Sequence, residues 1–291
     1  MGKLTPRQVV WIVNQLDKGK SVYYIAKRRK ISRRWVRQIR TLYAKRGEAP
    51  VFKKRGRKQM PVSAEDKELI VETWNEKPLN AVLLQKYLMI KMKKYISHNK
   101  IHSVLKEAGK SRNEPKKQKK RKWVRYERRH SNSLWHVDWS EMEDGSQLII
   151  YEDDASRFIP AYGLFEEATL ENALDVFLKA LRHGKPKQLL SDNGSQFRFN
   201  ERFDAPLDVK NRFQKKLKKL GVKQIFTRPN HPQCNGKLEK VNDTIKKLTR
   251  HFGSLDNAMK FYNYERPHMS LNMDILETPY MAFKRKMRKN R

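Results

Sequence analysis

The stretch Asp192-Asn193-Gly194-Ser195-Gln196-Phe197 directly follows a short apolar segment, Gln188-Leu189-Leu190. A short apolar run that stops at a turn signal predicts a buried strand, so Asp192 is expected at the end of that strand. Further along, the segment His231-Pro232-Gln233-Cys234-Asn235 leads into a predicted helix that begins near Gly236. Glu239 is therefore expected just inside this helix.

A third acid, Asp138, lies upstream in the strand-like segment Trp135-His136-Val137-Asp138-Trp139-Ser140. Magnesium prefers oxygen ligands, and two such ions about 4 Å apart can hold the attacking and leaving oxygens of a phosphoryl transfer. Asp138, Asp192 and Glu239 come from three separate elements, as such a pair of ions requires. Any one of these acids alone is more often a cap or a solvated charge, so the prediction depends on all three.

The charge of the chain points to a polyanionic partner. The 291 residues contain 66 Lys and Arg against 31 Asp and Glu, a net charge of +35. An excess of this size favours double-stranded DNA as the partner over a merely soluble basic surface. No apolar run approaches the roughly 20 residues that span a bilayer, and no signal peptide opens the chain, so we expect no membrane. A single cysteine excludes an intrachain disulfide framework and favours a reducing cytoplasm, at the nucleoid.

Residues 1–49 have the pattern of a helix-turn-helix domain. Thr5-Pro6-Arg7-Gln8 is typical of a helix N-terminus, and two single serine N-caps further along the chain predict two further helices. The last helix carries four arginines on or near its exposed side, which suit guanine edges and phosphates. These candidate DNA-binding residues are Arg33, Arg34, Arg37 and Arg40. A plain three-helix bundle with a solvated charged face is the alternative.

A basic linker, residues 50–62, follows; its Arg55 and Arg57 are candidates for a minor groove, although an ordinary solvated tether fits as well. Residues 63–109 predict a second helix-turn-helix domain, and two such units in tandem favour an extended DNA site. Residues 110–130 form a second basic linker that can neutralise phosphates without reading sequence.

Residues 131–252 change to a mixture of strands and helices. We expect strands at about 134–139, 147–153 and 158–165, then alternating helix and strand, which is an α/β layer fold. Ligands of open sheets gather at strand ends, where Asp138 and Asp192 are expected. Residues 253–291 are a C-terminal helical extension with a basic tail that either binds DNA or is solvated.

The predicted helix that contains Glu239 has a clear buried face. Its apolar stripe must face the core and consists of Leu238, Val241, Ile245, Leu248 and Phe252. Glu239 lies beside this stripe and can therefore lean toward the sheet. Lys240, Lys246 and Lys247 are placed to reach phosphates, and we include them among the candidate DNA-binding residues.

Residues 130–282 resemble the retroviral-integrase catalytic core as found in insertion-sequence transposases, the DDE recombinases. The matching pieces are His136-Val137-Asp138-Trp139, Asp153-Asp154-Ala155-Ser156-Arg157-Phe158, Ser191-Asp192-Asn193-Gly194-Ser195-Gln196-Phe197, Thr227-Arg228-Pro229, His231-Pro232-Gln233, Asn235-Gly236-Lys237-Leu238-Glu239 and Tyr262-Asn263-Tyr264-Glu265-Arg266-Pro267-His268. The resemblance implies an RNase H-like core with a mixed five-stranded sheet.

The same resemblance implies Asp138, Asp192 and Glu239 as catalytic residues that bind two Mg²⁺ ions, with Mn²⁺ as a substitute. The segment between Asp192 and Glu239 is longer than in the best-known integrase cores, and we place the surplus in a surface insertion at 199–209. Asp153 and Asp154 have the more ordinary interpretation of structural acids that pair with Arg157.

The leading hypothesis is a DNA transposase of insertion-sequence type. It would bind the terminal inverted repeats of its element, cleave them to expose 3′-OH ends and join these to target DNA, as a dimer or larger homo-oligomer. A non-enzymatic regulator derived from a transposase is the alternative, and an RNase H-type or junction nuclease is a third. The acid triad argues against the regulator, and tandem DNA readers are superfluous to the nuclease.

Overall fold

The computed structural model describes residues 4–52, 61–112, 127–194, 196–197, 212–227 and 236–288. Several predicted features lie outside these residues: Arg55 and Arg57, most of the 110–130 linker, the 199–209 insertion, and the segment 228–235 that precedes Gly236. The chain divides into two compact units, Met1–Pro61 and Val62–Arg291.

The first unit consists of three helices around an apolar core. They are α1 (Pro6–Asp17), α2 (Val22–Arg29) and α3 (Arg33–Arg46). A hydroxyl begins each one, because the side chains of Thr5, Ser21 and Ser32 accept hydrogen bonds from backbone N–H groups of the first turn. The second helix runs on to Arg29 rather than ending near Ala26, and it stops where Lys30 takes a left-handed conformation.

The second unit opens with α4 (Ala64–Glu76), α5 (Ala81–Lys91) and α6 (His98–Glu107). The sequence pattern predicts that these helices form a domain of their own. In the structure they lie in the same compact unit as the α/β layer, and their apolar side chains join one cluster with those of the helix that contains Glu239. Trp74 contacts the His251 ring edge-on at 5.1 Å, and Lys77 pairs with Glu265 at 3.0 Å. The domain boundaries themselves stay predictions.

A five-stranded sheet forms the centre of the second unit. Its strands are β1 (Trp135–Glu141), β2 (Gln147–Asp153), β3 (Ala161–Phe165), β4 (Gln188–Ser191) and β5 (Lys223–Phe226). Their order is β3-β2-β1-β4-β5, with β1–β3 an antiparallel meander and β4 and β5 parallel to β1. The predicted α/β core with a mixed five-stranded sheet is confirmed.

Helices cover both faces of this sheet. On one face, α7 (Leu170–Ala180) and α8 (Arg212–Lys219) pack on Trp135 and Val137 of β1. On the other, α9 (Gly236–Phe252) packs on Leu148 and Ile150 of β2. Because side chains alternate along a strand, residues 136 and 138 of β1 point to the face that α9 covers. The chain continues into α10 (Leu255–Lys260) and α11 (Pro279–Lys286).

The third strand begins at Ala161, whereas the sequence pattern predicts a start near Phe158. The side chain of Asn263 takes both backbone groups of Ile159: its Oδ1 accepts the N–H at 3.0 Å and its Nδ2 donates to the carbonyl at 3.0 Å. Pro160 has no N–H to give to a neighbouring strand. These residues therefore do not join the sheet, although they are apolar and buried.

None of the described helices is both long enough and apolar enough to span a bilayer.

Candidate active site

The pairing of β1 with β4 brings two of the three candidate acids side by side on neighbouring strands of the sheet. His136 is the register partner of Leu190 in this parallel pair. Asp138 and Asp192 each lie two residues further along their own segments, so they reach the same level. Neighbouring strands lie about 5 Å apart, and both acids have the parity that points toward α9. Asp192 directly follows β4, as predicted, whereas Asp138 lies in the middle of β1, because this strand runs on to Glu141 in its pairing with β2.

The turn after β4 holds the Asp192 carboxylate in one orientation. Asp192 Oδ1 accepts a hydrogen bond from the backbone N–H of Gly194 at 3.0 Å. Asn193 Nδ2 donates to the carbonyl of Thr227 at 2.8 Å, which attaches the turn to the end of β5. The turn residues therefore orient the carboxylate through the backbone rather than through a long flexible side chain.

Gly194 is a position where any side chain is expected to disturb Asp192. A Cβ built there lies 2.7 Å from Gln196 Oε1 and 3.0 Å from Asp192 Oδ1. We predict that Gly194→Ala lowers the free energy of unfolding by about 1 kcal/mol. Because small displacements of reacting groups are costly, we also expect about a tenfold loss of any metal-dependent DNA cleavage.

Thermal unfolding and cleavage of a labelled duplex measure the two effects of Gly194→Ala. Gly236→Ala is the control for stability, because a Cβ at Gly236 meets none of the described atoms within 4 Å. A Gly194→Ala protein that cleaves at the wild-type rate would show that this turn does not orient a catalytic group.

The third acid, Glu239, lies in the first turn of α9. This helix is anchored by Leu238, Val241 and Ile245, which are buried against the sheet as the apolar stripe predicts. Glu239 itself is exposed. It therefore lies on the solvent side of α9, and its charge still acts on Asp138.

The electrostatics connect the three acids. Burial, the negative charge of Asp192 and, less strongly, that of Glu239 together raise the pKa of Asp138 to about 7, against a hydrogen bond from the Trp139 N–H that lowers it. That N–H donates to Asp138 Oδ1 at 2.9 Å. The ionised form of Asp138 is thus disfavoured by burial and by the negative charges nearby.

The carboxylate oxygens of Asp138 and Asp192 fit a hard divalent cation, because such a cation prefers oxygen ligands and would relieve the repulsion between the two negative charges. The arrangement is nevertheless open. Within the described parts of the chain, no three His, Cys, Asp or Glu side chains are close enough together to hold one ion. The charges of Asp192 and of Glu239 both raise the pKa of Asp138, so both acids lie within electrostatic range of it.

Asp153 is the last residue of β2 and Asp154 the first residue of the turn that follows, and both side chains are fully buried. Asp153 accepts hydrogen bonds from the backbone of Asn132 at 2.8 Å and of Ser156 at 2.9 Å, so it has the structural role expected from the sequence. Asp154 is 3.9 Å from Arg157 NH1, but it makes shorter contacts with His136 and with Lys237. The expected ion pair with Arg157 is therefore present but long, and Arg157 also donates to Glu127 at 3.1 Å.

The charges around Asp154 favour its ionised form. Burial by itself would raise the pKa of Asp154, yet hydrogen bonds from His136 and Lys237 and the charge of Lys237 lower it overall. Burial lowers the pKa of His136. Because the ionised carboxylate of Asp154 can only accept a hydrogen bond, His136 Nε2–H is the donor to Asp154 Oδ1 at 3.0 Å. Burial and the charge of Arg157 lower the pKa of Lys237, and Asp154 opposes both.

One buried acid was not singled out by the sequence analysis. Glu152 of β2 is fully buried, and neither of its carboxylate oxygens has a hydrogen-bond partner in the described part of the protein. Burial raises the pKa of Glu152 to about 7, against the lowering effect of Arg157 and Lys237. The signal in the sequence was its parity: Glu152 shares the face of Leu148 and Ile150, which alternation along the strand assigns to the core.

Comparison with known proteins identifies the segment that contains Asp138 and Asp192. Residues 128–232 match the family model described as the integrase core domain. Over these residues the chain is similar to integrase core domains. The resemblance to integrase cores predicted from the sequence is thereby confirmed, although the matched segment ends before Glu239.

Individual relatives agree with the family match. The chain is 29% identical over 145 residues to ORF3 of Spiroplasma virus SpV1-C74, a protein named as a candidate integrase. That alignment covers 44% of this chain and 39% of the relative, so less than half of the relative's length is matched.

Solved structures of viral integrases are also similar to this chain. The catalytic core domain of BIV integrase is 18% identical, with a TM-score of 0.42, and the match covers 53% of this chain and 95% of that one. The HTLV-2 integrase catalytic core, solved in complex with magnesium as a dimer, is 17% identical over 53% of this chain and 97% of its own, with a TM-score of 0.41.

The candidate DNA-binding side chains lie on exposed helix surfaces. Arg33, Arg34, Arg37 and Arg40 of α3 are all exposed, opposite the buried Val36 and Ile39. The guanidinium of Arg33 stacks over the Tyr23 ring at 5.1 Å.

The lysines of α9, next to the integrase core domain, are partly engaged by a neighbouring acid. Lys240 and Lys247 are exposed and lie 3.6 Å and 2.9 Å from Asp243, whereas Lys246 is half-buried. Arg55 and Arg57 lie outside the described residues.

Proposed function

We propose that the protein is a DNA transposase of insertion-sequence type, acting on double-stranded DNA in the cytoplasm at the nucleoid. It binds the terminal inverted repeats of its element, cleaves them to expose 3′-OH ends and joins these ends to target DNA. The observation that carries this proposal is the β1–β4 register, which brings Asp138 level with Asp192 inside an integrase core domain.

In this proposal Asp138, Asp192 and Glu239 hold two Mg²⁺ ions, for which Mn²⁺ can substitute. When bound, these ions activate a water molecule or a DNA 3′-OH and stabilise the leaving oxygen. Asp138 and Asp192 supply rigid ligands from the sheet, and Glu239 supplies the third carboxylate from the first turn of α9. The exposure of Glu239 supports this role, because its side chain is free to turn toward the ions together with bound DNA.

Recognition of the element ends is assigned to the helical parts of the chain. The exposed arginine face of α3 supports a helix-turn-helix role for α1–α3, with Arg33, Arg34, Arg37 and Arg40 at the DNA. We assign a second helix-turn-helix role to α4–α6, and phosphate contacts to Arg55, Arg57, Lys240, Lys246 and Lys247. Because two DNA ends must be processed together, the active form is at least a dimer.

A strand-transfer assay tests the proposed function. Labelled duplexes that carry the inverted repeats flanking the coding region are incubated with the full chain and Mg²⁺ or Mn²⁺. We expect cleaved products with 3′-OH ends and joined products that disappear when the metal is chelated. Specific binding of these duplexes without cleavage or joining under either metal would instead support the non-enzymatic regulator.

A further inference from the structure

A single buried carboxylate oxygen connects the two elements that carry Asp138 and Glu239. Asp154 Oδ1 accepts a hydrogen bond from His136 Nε2 of β1 at 3.0 Å. The same Oδ1 accepts a hydrogen bond from Lys237 Nζ of α9. We call His136, Asp154 and Lys237 the Asp154 cluster.

The spacing of this cluster relative to the candidate acids is regular. His136 lies two residues before Asp138 and points to the same face of β1, because side chains alternate along a strand. Lys237 lies two residues before Glu239 in the first turn of α9. A displacement of Asp154 from either partner would therefore be transmitted directly to an element that carries a candidate metal ligand.

The position of Asp154 is itself fixed by the backbone. Its own N–H donates to the Leu134 carbonyl at 3.0 Å, directly before β1. Its second oxygen, Oδ2, accepts a hydrogen bond from the Arg128 N–H at 2.7 Å. The side chains of Asp154 and His136 are both fully buried, so solvent does not replace these contacts. Loss of the carboxylate leaves buried donors without an acceptor, which is costly.

We propose that Asp154 is a positioning residue that holds the first turn of α9 against β1 and so sets the position of Glu239 relative to Asp138. Its effect on DNA chemistry rests on the proposed function, whereas its effect on the first turn of α9 does not. Asp154 touches neither DNA nor metal in this account and acts through Lys237 and His136.

Asp154→Asn is the test variant, and Asp153→Asn is its matched control. Both replace a fully buried carboxylate at adjacent positions where β2 ends, and both leave backbone donors short of an acceptor. The oxygens of Asp153, however, accept hydrogen bonds from Asn132 and Ser156, and none of their hydrogen bonds in the described part of the chain reaches α9. A loss of stability is thus common to both variants, and an effect on α9 is expected from Asp154→Asn alone.

Amide hydrogen exchange of the full chain reads out the position of α9 directly. The amides of residues 240–243 close hydrogen bonds on the carbonyls of the first turn. We expect their exchange to be at least tenfold faster in Asp154→Asn than in Asp153→Asn. Equal exchange in the two variants would overturn the proposal, whether or not the protein cleaves DNA.

Binding of Mn²⁺ by titration calorimetry is the second readout. Mutation of residues that orient metal ligands typically changes metal affinity by 10–100-fold. We therefore expect the dissociation constant for Mn²⁺ to be at least tenfold larger in Asp154→Asn and unchanged in Asp153→Asn. If exchange responds as expected but the wild-type chain shows no metal-dependent cleavage, the proposed function fails and the positioning role stands.

Lys237→Met keeps the test available if Asp154→Asn does not fold. It removes the same contact from the half-buried partner, and we expect the same faster exchange of residues 240–243. The double variant Asp154→Asn/Lys237→Met is expected to exchange no faster than Asp154→Asn, because both changes break one interaction. Additive effects of the two substitutions would contradict a shared contact.

Discussion

Asp192→Asn is expected to lower DNA strand cleavage and joining by about 10³-fold or more while leaving binding to the element ends within about twofold of wild type. The substitution removes one negative charge from the proposed metal site, and metal ions contribute several kcal/mol to transition-state stabilisation. Folding is expected to survive, because asparagine Oδ1 can still accept the hydrogen bond that the Gly194 N–H now donates to Asp192.

Cleavage of labelled duplexes and a binding titration with the same DNA measure the two halves of this prediction. Asp175→Asn is the control, since Asp175 is exposed on α7, where it pairs with Lys179 at 2.7 Å. Persistent nicking by Asp192→Asn in Mg²⁺ or Mn²⁺ would refute the assignment of Asp192 as a metal ligand.

The triple variant Arg34→Gln/Arg37→Gln/Arg40→Gln is expected to weaken binding to the element ends by about 10²-fold or more. Each guanidinium that reads a base contributes about 1–3 kcal/mol. Each one that contacts a phosphate adds about 0.9 to the slope of log K against log salt, so a shallower slope is expected as well. Glutamine retains helix propensity, and the buried Val36 and Ile39 are unchanged, so α3 should remain folded.

A charge-matched triple in the same unit is the control for this prediction. Arg7→Gln/Lys18→Gln/Lys20→Gln removes the same number of positive charges from exposed positions outside α3. Fluorescence anisotropy across a range of salt concentrations compares the two triples. An equal loss of affinity in both would mean that net charge, and not this face, carries the binding.

Helices and strands were largely predictable from the sequence, because local interactions specify them. The caps at Ser63 and Asn80 are present as expected, with side-chain oxygens that accept first-turn N–H groups. The predicted apolar stripe of α9 is buried, since an amphipathic helix has only one face that can pack. The strand ends near 153 and 191 also follow from apolar runs that stop at turn residues. The integrase core domain was recognised from the same motifs.

The relations between distant segments depend on long-range packing and lie beyond local patterns. Parallel pairing of β4 with β1 makes Asp192 a neighbour of Asp138, and nothing within either segment specifies that partner. Likewise, Asp154 meets Lys237 only because α9 crosses the face to which His136 points. Local sequence thus specified on which strand or helix each acid lies. The sheet order and the burial of α9 determined which of those acids come close together. The reason is physical: hydrogen bonds within a helix or turn involve near neighbours, but register and burial are properties of the whole packed layer.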